Sequence, residues 1–172
     1  PEPDADRLSA SSGRGPGSTH DPALKCGWTD GAQALSEPIP GGSAEIRAVS
    51  GKAVPAPVGP YSAGIIHGGL LFVSGQIPLD PATKSLVEGA IEVQTRQVIA
   101  NLSAVLDAAG SSLAHVLRTT VYVTDLSLFP RLNSVYSEHF LGDPQPARAT
   151  VQVAALPLGA EVEIDAIATI PG

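Results

Sequence analysis

The chain has 172 residues, which is enough for one domain of ordinary size and too few for two large ones. Hydrophobic residues make up 43% of the chain and aromatic residues only 4%, so a packed core must consist mainly of Val, Ile, Leu and Ala. The formal net charge of −7 argues against charge-driven binding to nucleic acid, because neutralising phosphates requires Lys and Arg.

Several features of the sequence indicate whether the protein binds metal and in which cellular compartment it lies. Cys26 is the one cysteine, which excludes an internal disulfide, and the four histidines are scattered at spacings unlike those of zinc ligands. No apolar run reaches the roughly 18 residues of a membrane span, and the N-terminus lacks the apolar core of a signal peptide. We predict a cytoplasmic protein without metal or membrane contact. Because the chain starts at Pro1 and contains no Met, an organellar protein that has lost its leader is the alternative.

Residues 1–50 differ in composition from the rest of the chain. They are dominated by Pro, Gly, Ser, Ala and Asp, with no sustained apolar period. Such a segment cannot offset the entropy that it would lose on ordering, so it is predicted to be disordered. A linker is the favoured interpretation, and a docking tail anchored by Trp28 is the alternative. Residues 51–172 are predicted to form the folded domain.

The first half of this domain predicts a hairpin followed by a helix. Two short apolar runs, Ala63–His67 and Leu70–Ser74, are separated by Gly68-Gly69, and glycine readily adopts the positive φ angles of a two-residue turn. After a turn-rich stretch, apolar residues recur at three- and four-residue spacing over Ile91–Ala109. This spacing predicts an amphipathic helix that ends at Gly110.

The second half predicts three strands and another helix. Val116–Thr124 is rich in β-branched residues and reads as a buried strand. Asp125 or Ser127 could cap a helix that extends to about Phe140. The last two strands are predicted at 149–154 and 161–170. The final strand alternates, with Val162, Ile164, Ala166 and Ala168 on one face and Glu161, Glu163 and Asp165 on the other.

The predicted order β-β-α-β-α-β-β indicates an α+β fold, with two helices packed on one face of a mixed sheet. The other face of that sheet also carries apolar residues. A domain of about 120 residues with few aromatic side chains would gain from burying this face against copies of itself, which favours an oligomer.

Two polar residues are candidates for chemistry. Arg148 stands at the start of a strand, after a proline, among apolar residues, and its planar guanidinium matches a carboxylate in two parallel hydrogen bonds. The alternative is that Arg148 pairs with a nearby Glu or Asp of the sheet. Glu163 lies on the polar face of the last strand, where burial by oligomerisation would raise its pKa and suit it to exchange protons with water. Its alternative is an exposed strand residue.

Seven sequence blocks, in order and with suitable spacing, resemble the RidA/YjgF family of enamine/imine deaminases. They cover about Lys52 to Pro171. The blocks are Val58-Gly59-Pro60-Tyr61-Ser62, Ser74-Gly75-Gln76-Ile77-Pro78, Asn101-Leu102 with Ala108-Ala109-Gly110, Arg118-Thr119-Thr120-Val121-Tyr122-Val123, Asn133-Ser134-Val135-Tyr136, Pro146-Ala147-Arg148 and Glu163-Ile164-Asp165-Ala166-Ile167-Ala168.

The resemblance implies a chorismate-mutase-like α+β fold and a homotrimer, with the sheets in a central barrel and three clefts between subunits. It implies that Arg148 holds the substrate carboxylate, and that Glu163 and the main-chain carbonyl of Thr150 orient a water molecule. In many bacterial relatives a Cys stands where this chain has Thr150. Residues that the resemblance assigns to substrate binding are Tyr61, Ser74, Gly75, Asn133 and Arg148.

The activity that the resemblance implies is hydrolysis of 2-iminobutanoate and 2-iminopropanoate, reactive products of PLP-dependent dehydratases, to 2-oxo acids and ammonia. The expected partners are a small imino acid and two further copies of the chain, with no metal and no cofactor. One alternative is an endoribonuclease or translation inhibitor, which the acidic composition disfavours. The other is a non-catalytic trimer that binds a small ligand or acts as a chaperone.

Overall fold

The computed structural model describes residues 45–171, and these form one mixed sheet with two helices. The sheet order is β1-β2-β3-β6-β4-β5; β4 and β5 are parallel, and the other neighbouring strands are antiparallel. This is the α+β arrangement predicted from the sequence. Its elements are β1 (Arg47–Ala48), β2 (Gly64–His67), β3 (Leu70–Gln76), α1 (Ile91–Ala108), β4 (Val116–Val123), α2 (Phe129–His139), β5 (Ala147–Gln152) and β6 (Val162–Thr169).

Strand β1 lies inside the segment predicted to be disordered. Arg47 and Ala48 pair with Ile66 and Ile65 of β2, and Val49 is buried in the core. The sheet therefore begins a few residues before the predicted boundary at residue 50, because a two-residue strand leaves no periodic signal but gains its hydrogen bonds from a neighbouring edge. The disorder prediction for residues 1–44, with the docking role of Trp28, lies outside the described residues.

Local sequence explains where the elements turn and end. Gly68 and Gly69 have φ angles of 58° and 76°, as the two central residues of a type I′ hairpin turn require. Gly110, with φ of 78°, follows the end of α1. Asp125 accepts a hydrogen bond from the Ser127 N–H (2.8 Å), but it caps a short 3-10 turn that precedes α2 rather than α2 itself.

Both helices pack on one face of the sheet. The β6 residues that face them are Val162, Ile164, Ala166 and Ala168, all at most 2% exposed, which confirms the predicted alternation. The opposite face, called the open face below, carries large apolar side chains in solvent: Phe72 is 44% exposed and Val151 is 41% exposed. No helix of residues 45–171 has the length and apolar character that a membrane span needs.

The buried side chain of Asn101 ties α1 to the loop that follows β3. Its Nδ2 donates to the carbonyl oxygens of Ile77 (3.0 Å) and Leu79 (2.8 Å). We expect Asn101→Ala to lower the free energy of unfolding by about 2–4 kcal/mol, because two buried carbonyls lose their donor. Urea unfolding at fixed protein concentration measures this. Ser137→Ala removes an exposed hydrogen bond to Ser134 and should cost less than about 0.5 kcal/mol; equal losses in both variants would contradict the prediction.

Candidate functional site

Arg148 is the second residue of β5, which is an edge strand of the sheet, and its side chain lies over two aromatic rings of α2. Its guanidinium carbon is 4.5 Å from the ring centroid of Tyr136 and 5.5 Å from that of Phe129. In the parallel pairing of β4 with β5, Arg148 stands beside Thr119, which is buried under the helices. The side chain therefore belongs to the helix-covered face, at its exposed edge.

No carboxylate pairs with Arg148 among residues 45–171. Two arginines of this part of the chain form ion pairs, and both pairs join the helices: Arg96 with Glu138, and Arg131 with Glu92 at 2.7 Å. Within residues 45–171, Arg148 therefore does not form the internal ion pair that was its alternative role. The in-plane N–H donors of its guanidinium remain available to an incoming carboxylate.

Asn133 and Thr150 lie on the same side as Arg148. Asn133 follows Phe129 by four positions and precedes Tyr136 by three, so all three share one face of α2. Thr150 follows Arg148 by two positions in β5 and therefore points to the same face of the sheet. Three of the predicted site residues are brought together here.

The remaining predicted residues line a cavity of about 350 Å³ on the open face. A carboxylate, two hydroxyls and apolar walls meet in it, as ligand pockets usually require. Its lining residues are Val58, Tyr61, Ser74, Gly75, Ile77, Pro157 and Glu163.

Local backbone geometry explains why this cavity needs the Ser-Gly pair. The pairing of β3 with β6 shifts register between Val73 and Gln76, which marks a bulge at Ser74 and Gly75. The Ser74 hydroxyl donates to the Ser62 carbonyl (2.7 Å) and ties the bulge to the loop before β2. A Cβ atom on Gly75 would lie 1.8 Å from Oε1 of Glu163. Glycine at this position therefore makes the space that the carboxylate occupies.

Glu163 carries the perturbed carboxyl of this cavity. Burial raises the pKa of Glu163 above the ordinary value of a glutamate, and the negative charge of nearby Asp165 raises it further. Asp165 is itself held in place, since its carboxylate accepts hydrogen bonds from the Thr120 N–H (3.1 Å) and the Tyr122 hydroxyl (2.9 Å). Within residues 45–171, no group of three or more His, Cys, Asp or Glu could hold a metal ion.

Arg148 and Glu163 lie on opposite faces of the sheet. Glu163 pairs with Tyr122 of β4, and Arg148 pairs with Thr119 of the same strand, an odd number of residues away. Because successive residues of a strand point to opposite faces, the two side chains point away from each other. One chain alone therefore offers two separate half-sites.

A larger cavity, of about 570 Å³, contains none of the predicted site residues. It lies beside α1, and Lys52, Ser103, Asp107 and His139 are among its lining residues. Both cavities have mainly apolar walls and are open to solvent, but the smaller one also combines a carboxyl of raised pKa with two hydroxyls. We therefore regard the smaller cavity as the candidate site.

Sequence reasoning did not assign a role to Phe129 or Tyr136. Both rings touch the Arg148 side chain, and Tyr136 is buried in the core as well. Their positions, on either side of Asn133 at spacings of four and three, were the available signal. That signal indicates a shared helix face, but not what the face contacts.

Comparisons with known proteins cover the described part of the chain. The model of a family described as Endoribonuclease L-PSP matches residues 51–170. Protein DfrA of Myxococcus xanthus is 51% identical over 124 residues, which are 71% of this chain and 94% of that protein. Reactive Intermediate Deaminase A, chloroplastic, of Arabidopsis thaliana is 42% identical over 128 residues, 74% of this chain and 68% of that protein. The crystal structure of E. coli TdcF with bound serine is similar at a TM-score of 0.66 and 36% identity, covering 72% of this chain and 98% of TdcF.

Proposed function

Because the chain belongs to the RidA/YjgF family, whose model is described as Endoribonuclease L-PSP, we propose that it is an enamine/imine deaminase. Its substrates would be 2-iminobutanoate and 2-iminopropanoate, which it would hydrolyse to 2-oxo acids and ammonia. The observation that carries the proposal is the Arg148 guanidinium, exposed over two rings and without a carboxylate partner in residues 45–171. The relative named Reactive Intermediate Deaminase A and the serine bound to TdcF support a small amino-acid-like ligand.

The proposed active unit is a homotrimer in which the Arg148 half-site of one copy meets the Glu163 cavity of the next. Two features support this arrangement: the half-sites lie on opposite faces of one sheet, and the open face exposes Phe72 and Val151. Contact between the open faces of several copies would bury these side chains. Because Arg148 lies at the exposed edge of the helix-covered face, the β5 edge of one copy could then meet the Glu163 cavity of the next and enclose a substrate between a guanidinium and a carboxyl from different chains.

The reaction that we propose adds water to the imine carbon and then releases ammonia. Arg148 holds the substrate carboxylate in two parallel hydrogen bonds, which fixes the electrophilic carbon against one water molecule. Glu163, aided by the main-chain carbonyl at Thr150, orients this water and accepts a proton as its oxygen bonds to the carbon. The C=N π electrons move to nitrogen, which takes this proton from Glu163 and gives a carbinolamine. Glu163 then takes the hydroxyl proton of the carbinolamine as the C=O bond forms and the C–N bond breaks, and this proton passes to the nitrogen, which leaves as ammonia. Water supplies every atom that is added, so the route uses no cofactor.

The raised pKa of Glu163 leads to a testable pH dependence. The carboxylate form accepts the proton, so kcat/KM should fall as the pH drops through the pKa of Glu163. The charge of Asp165 raises that pKa, and Asp165→Asn should therefore move the acid limb of the profile to lower pH. The profile is measured as turnover above the uncatalysed rate at each pH. An unchanged acid limb would show that Glu163 is not the titrating group, and Glu88→Gln, which removes an exposed charge, is the control.

A coupled assay tests the proposed function directly. A PLP-dependent dehydratase acting on serine or threonine generates the imine, and the appearance of 2-oxo acid is followed with and without this protein. We expect faster 2-oxo acid formation in proportion to the concentration of added protein. No acceleration at any concentration would contradict the proposal.

Endoribonuclease activity is the second candidate, because the family description names it. The net charge of −7 disfavours it, since binding the RNA backbone depends on Lys and Arg. Incubation of purified protein with single-stranded RNA, alongside Arg148→Ala, separates the two activities. RNA cleavage at full rate in the variant, together with no imine turnover by the wild type, would favour the ribonuclease. Carboxylate binding without either activity would favour a binding module.

A further inference from the structure

The aromatic rings beneath Arg148 suggest how an arginine can be fixed without being neutralised. We propose that Tyr136 and Phe129 are positioning residues, which hold the Arg148 guanidinium by ring contact so that its hydrogen-bond donors stay free for a substrate carboxylate. This inference rests on the proposed function, because it assigns these residues a part in substrate binding at the same site.

Distances to both rings support the contact. The guanidinium carbon lies 4.5 Å from the Tyr136 centroid and 5.5 Å from the Phe129 centroid, within the range of about 6 Å for a cation–π interaction. Two rings from one helix, seven positions apart, thus contact the same cation. No carboxylate of residues 45–171 forms an ion pair with it.

The chemistry of this contact differs from that of an ion pair. A carboxylate partner would occupy the in-plane N–H donors of the guanidinium, which are the donors that a substrate carboxylate needs. A ring face attracts the cation through its π electrons and leaves those donors directed outward. The rings therefore order a flexible side chain before substrate arrives, which reduces the entropy lost on binding.

Tyr136 is itself held rigidly. It is only 6% exposed, its hydroxyl lies 2.8 Å from the Thr119 hydroxyl, and its ring stacks on Phe140 at a centroid distance of 4.1 Å. Thr119 in turn stands beside Arg148 in the β4–β5 pairing. Strand, ring and guanidinium thus form one connected unit, so the position of the ring determines the position of the cation.

Two variants of Tyr136 separate the ring from its hydroxyl. Tyr136→Leu removes the ring, and we expect KM for 2-iminobutanoate and the inhibition constant of the product 2-oxobutanoate to rise about threefold to thirtyfold, with kcat changed less. The effect falls on binding because the carboxylate does not change during the reaction. Tyr136→Phe keeps the ring and loses only the contact with Thr119, so both constants should stay near those of the wild type.

A control variant tests whether a loss of stability alone can raise KM. Val135→Ala truncates a neighbouring buried side chain of α2 and leaves both rings in place, so it should lower the melting temperature without raising KM. In an Arg148→Ala background, Tyr136→Leu should produce no further rise in the inhibition constant, because the group that it positions is gone. If Tyr136→Leu does not fold, Phe129→Leu, at the half-buried outer ring, replaces it.

The outcomes distinguish this inference from the proposed function. No turnover by the wild type would defeat the function itself. The positioning role alone would be defeated by a different set of results. In that set the wild type turns over normally and Arg148→Ala loses most activity, but KM and the inhibition constant are unchanged in Tyr136→Leu and Phe129→Leu. A further rise caused by Tyr136→Leu in the Arg148→Ala background would also overturn it, because the ring would then be acting without the arginine.

Discussion

Arg148→Ala is expected to lower kcat/KM for 2-iminobutanoate at least about 100-fold, because two charge-assisted hydrogen bonds, each contributing about 1.5–3 kcal/mol, are lost together. The substrate then loses both its attraction to the site and its alignment with water. The fold should be unaffected, since the side chain is exposed and forms no ion pair in residues 45–171. The coupled assay measures the loss, and light scattering checks that the variant still forms the proposed trimer.

Two further variants sharpen this test. Arg148→Lys keeps the charge but not the planar pair of donors, so it should also be impaired, though less than the alanine variant. Arg96→Ala removes an arginine from an exposed helix–helix ion pair and should retain nearly full activity. Activity lost equally in Arg96→Ala and Arg148→Ala, or retained in Arg148→Ala, would refute the assignment of the carboxylate-binding residue.

Mixing two inactive variants should restore activity. Glu163→Gln is expected to be impaired at least about 100-fold, because it removes the group that takes and returns the proton. In trimers assembled at random from equal amounts of Arg148→Ala and Glu163→Gln chains, a cleft built from two chains receives both intact residues in about one quarter of cases. Activity should therefore rise from near zero to about a quarter of the wild-type value in the whole mixture, and to about a third in the trimers that contain both variants, since one of their three clefts is intact.

The measurement requires that the chains exchange. The two variants, carrying different affinity tags, are unfolded and refolded together, and oligomers retained by both tags are assayed. A mixture of Arg148→Ala with the double variant Arg148→Ala/Glu163→Gln is the matched control, because no cleft in it contains an intact arginine. If each site were complete within one chain, the co-refolded oligomers would be no more active than their parents, and the two-chain site would be abandoned.

Much of the fold could be predicted because its signals are local. The glycine pair at residues 68–69, the apolar spacing of α1 and the alternation of β6 each depend on neighbours within a few residues. The limits of the strands were predicted less accurately. Strand β5 runs from Ala147 to Gln152, so both of its ends lie two residues before the predicted limits of 149 and 154. Strand ends depend on how far a partner strand extends, which the pattern of a single strand does not contain.

The candidate site was predicted as a set of residues but not as an arrangement. The motifs named Arg148 and Glu163, yet only the strand order β3-β6-β4-β5 and its register place them on opposite faces. The same register brings Arg148 against Phe129 and Tyr136. None of this follows from spacing along the chain, because a residue's face is defined only relative to its partner strands.

Residue chemistry over short distances was enough to predict the type and order of the elements from β2 to β6, the buried face of the last strand and the family to which the motifs belong. The position of β1, the separation of the two half-sites and the rings beneath the arginine became visible only in the folded chain. These features arise from long-range pairing and packing, in which residues far apart in the chain compete for the same neighbours.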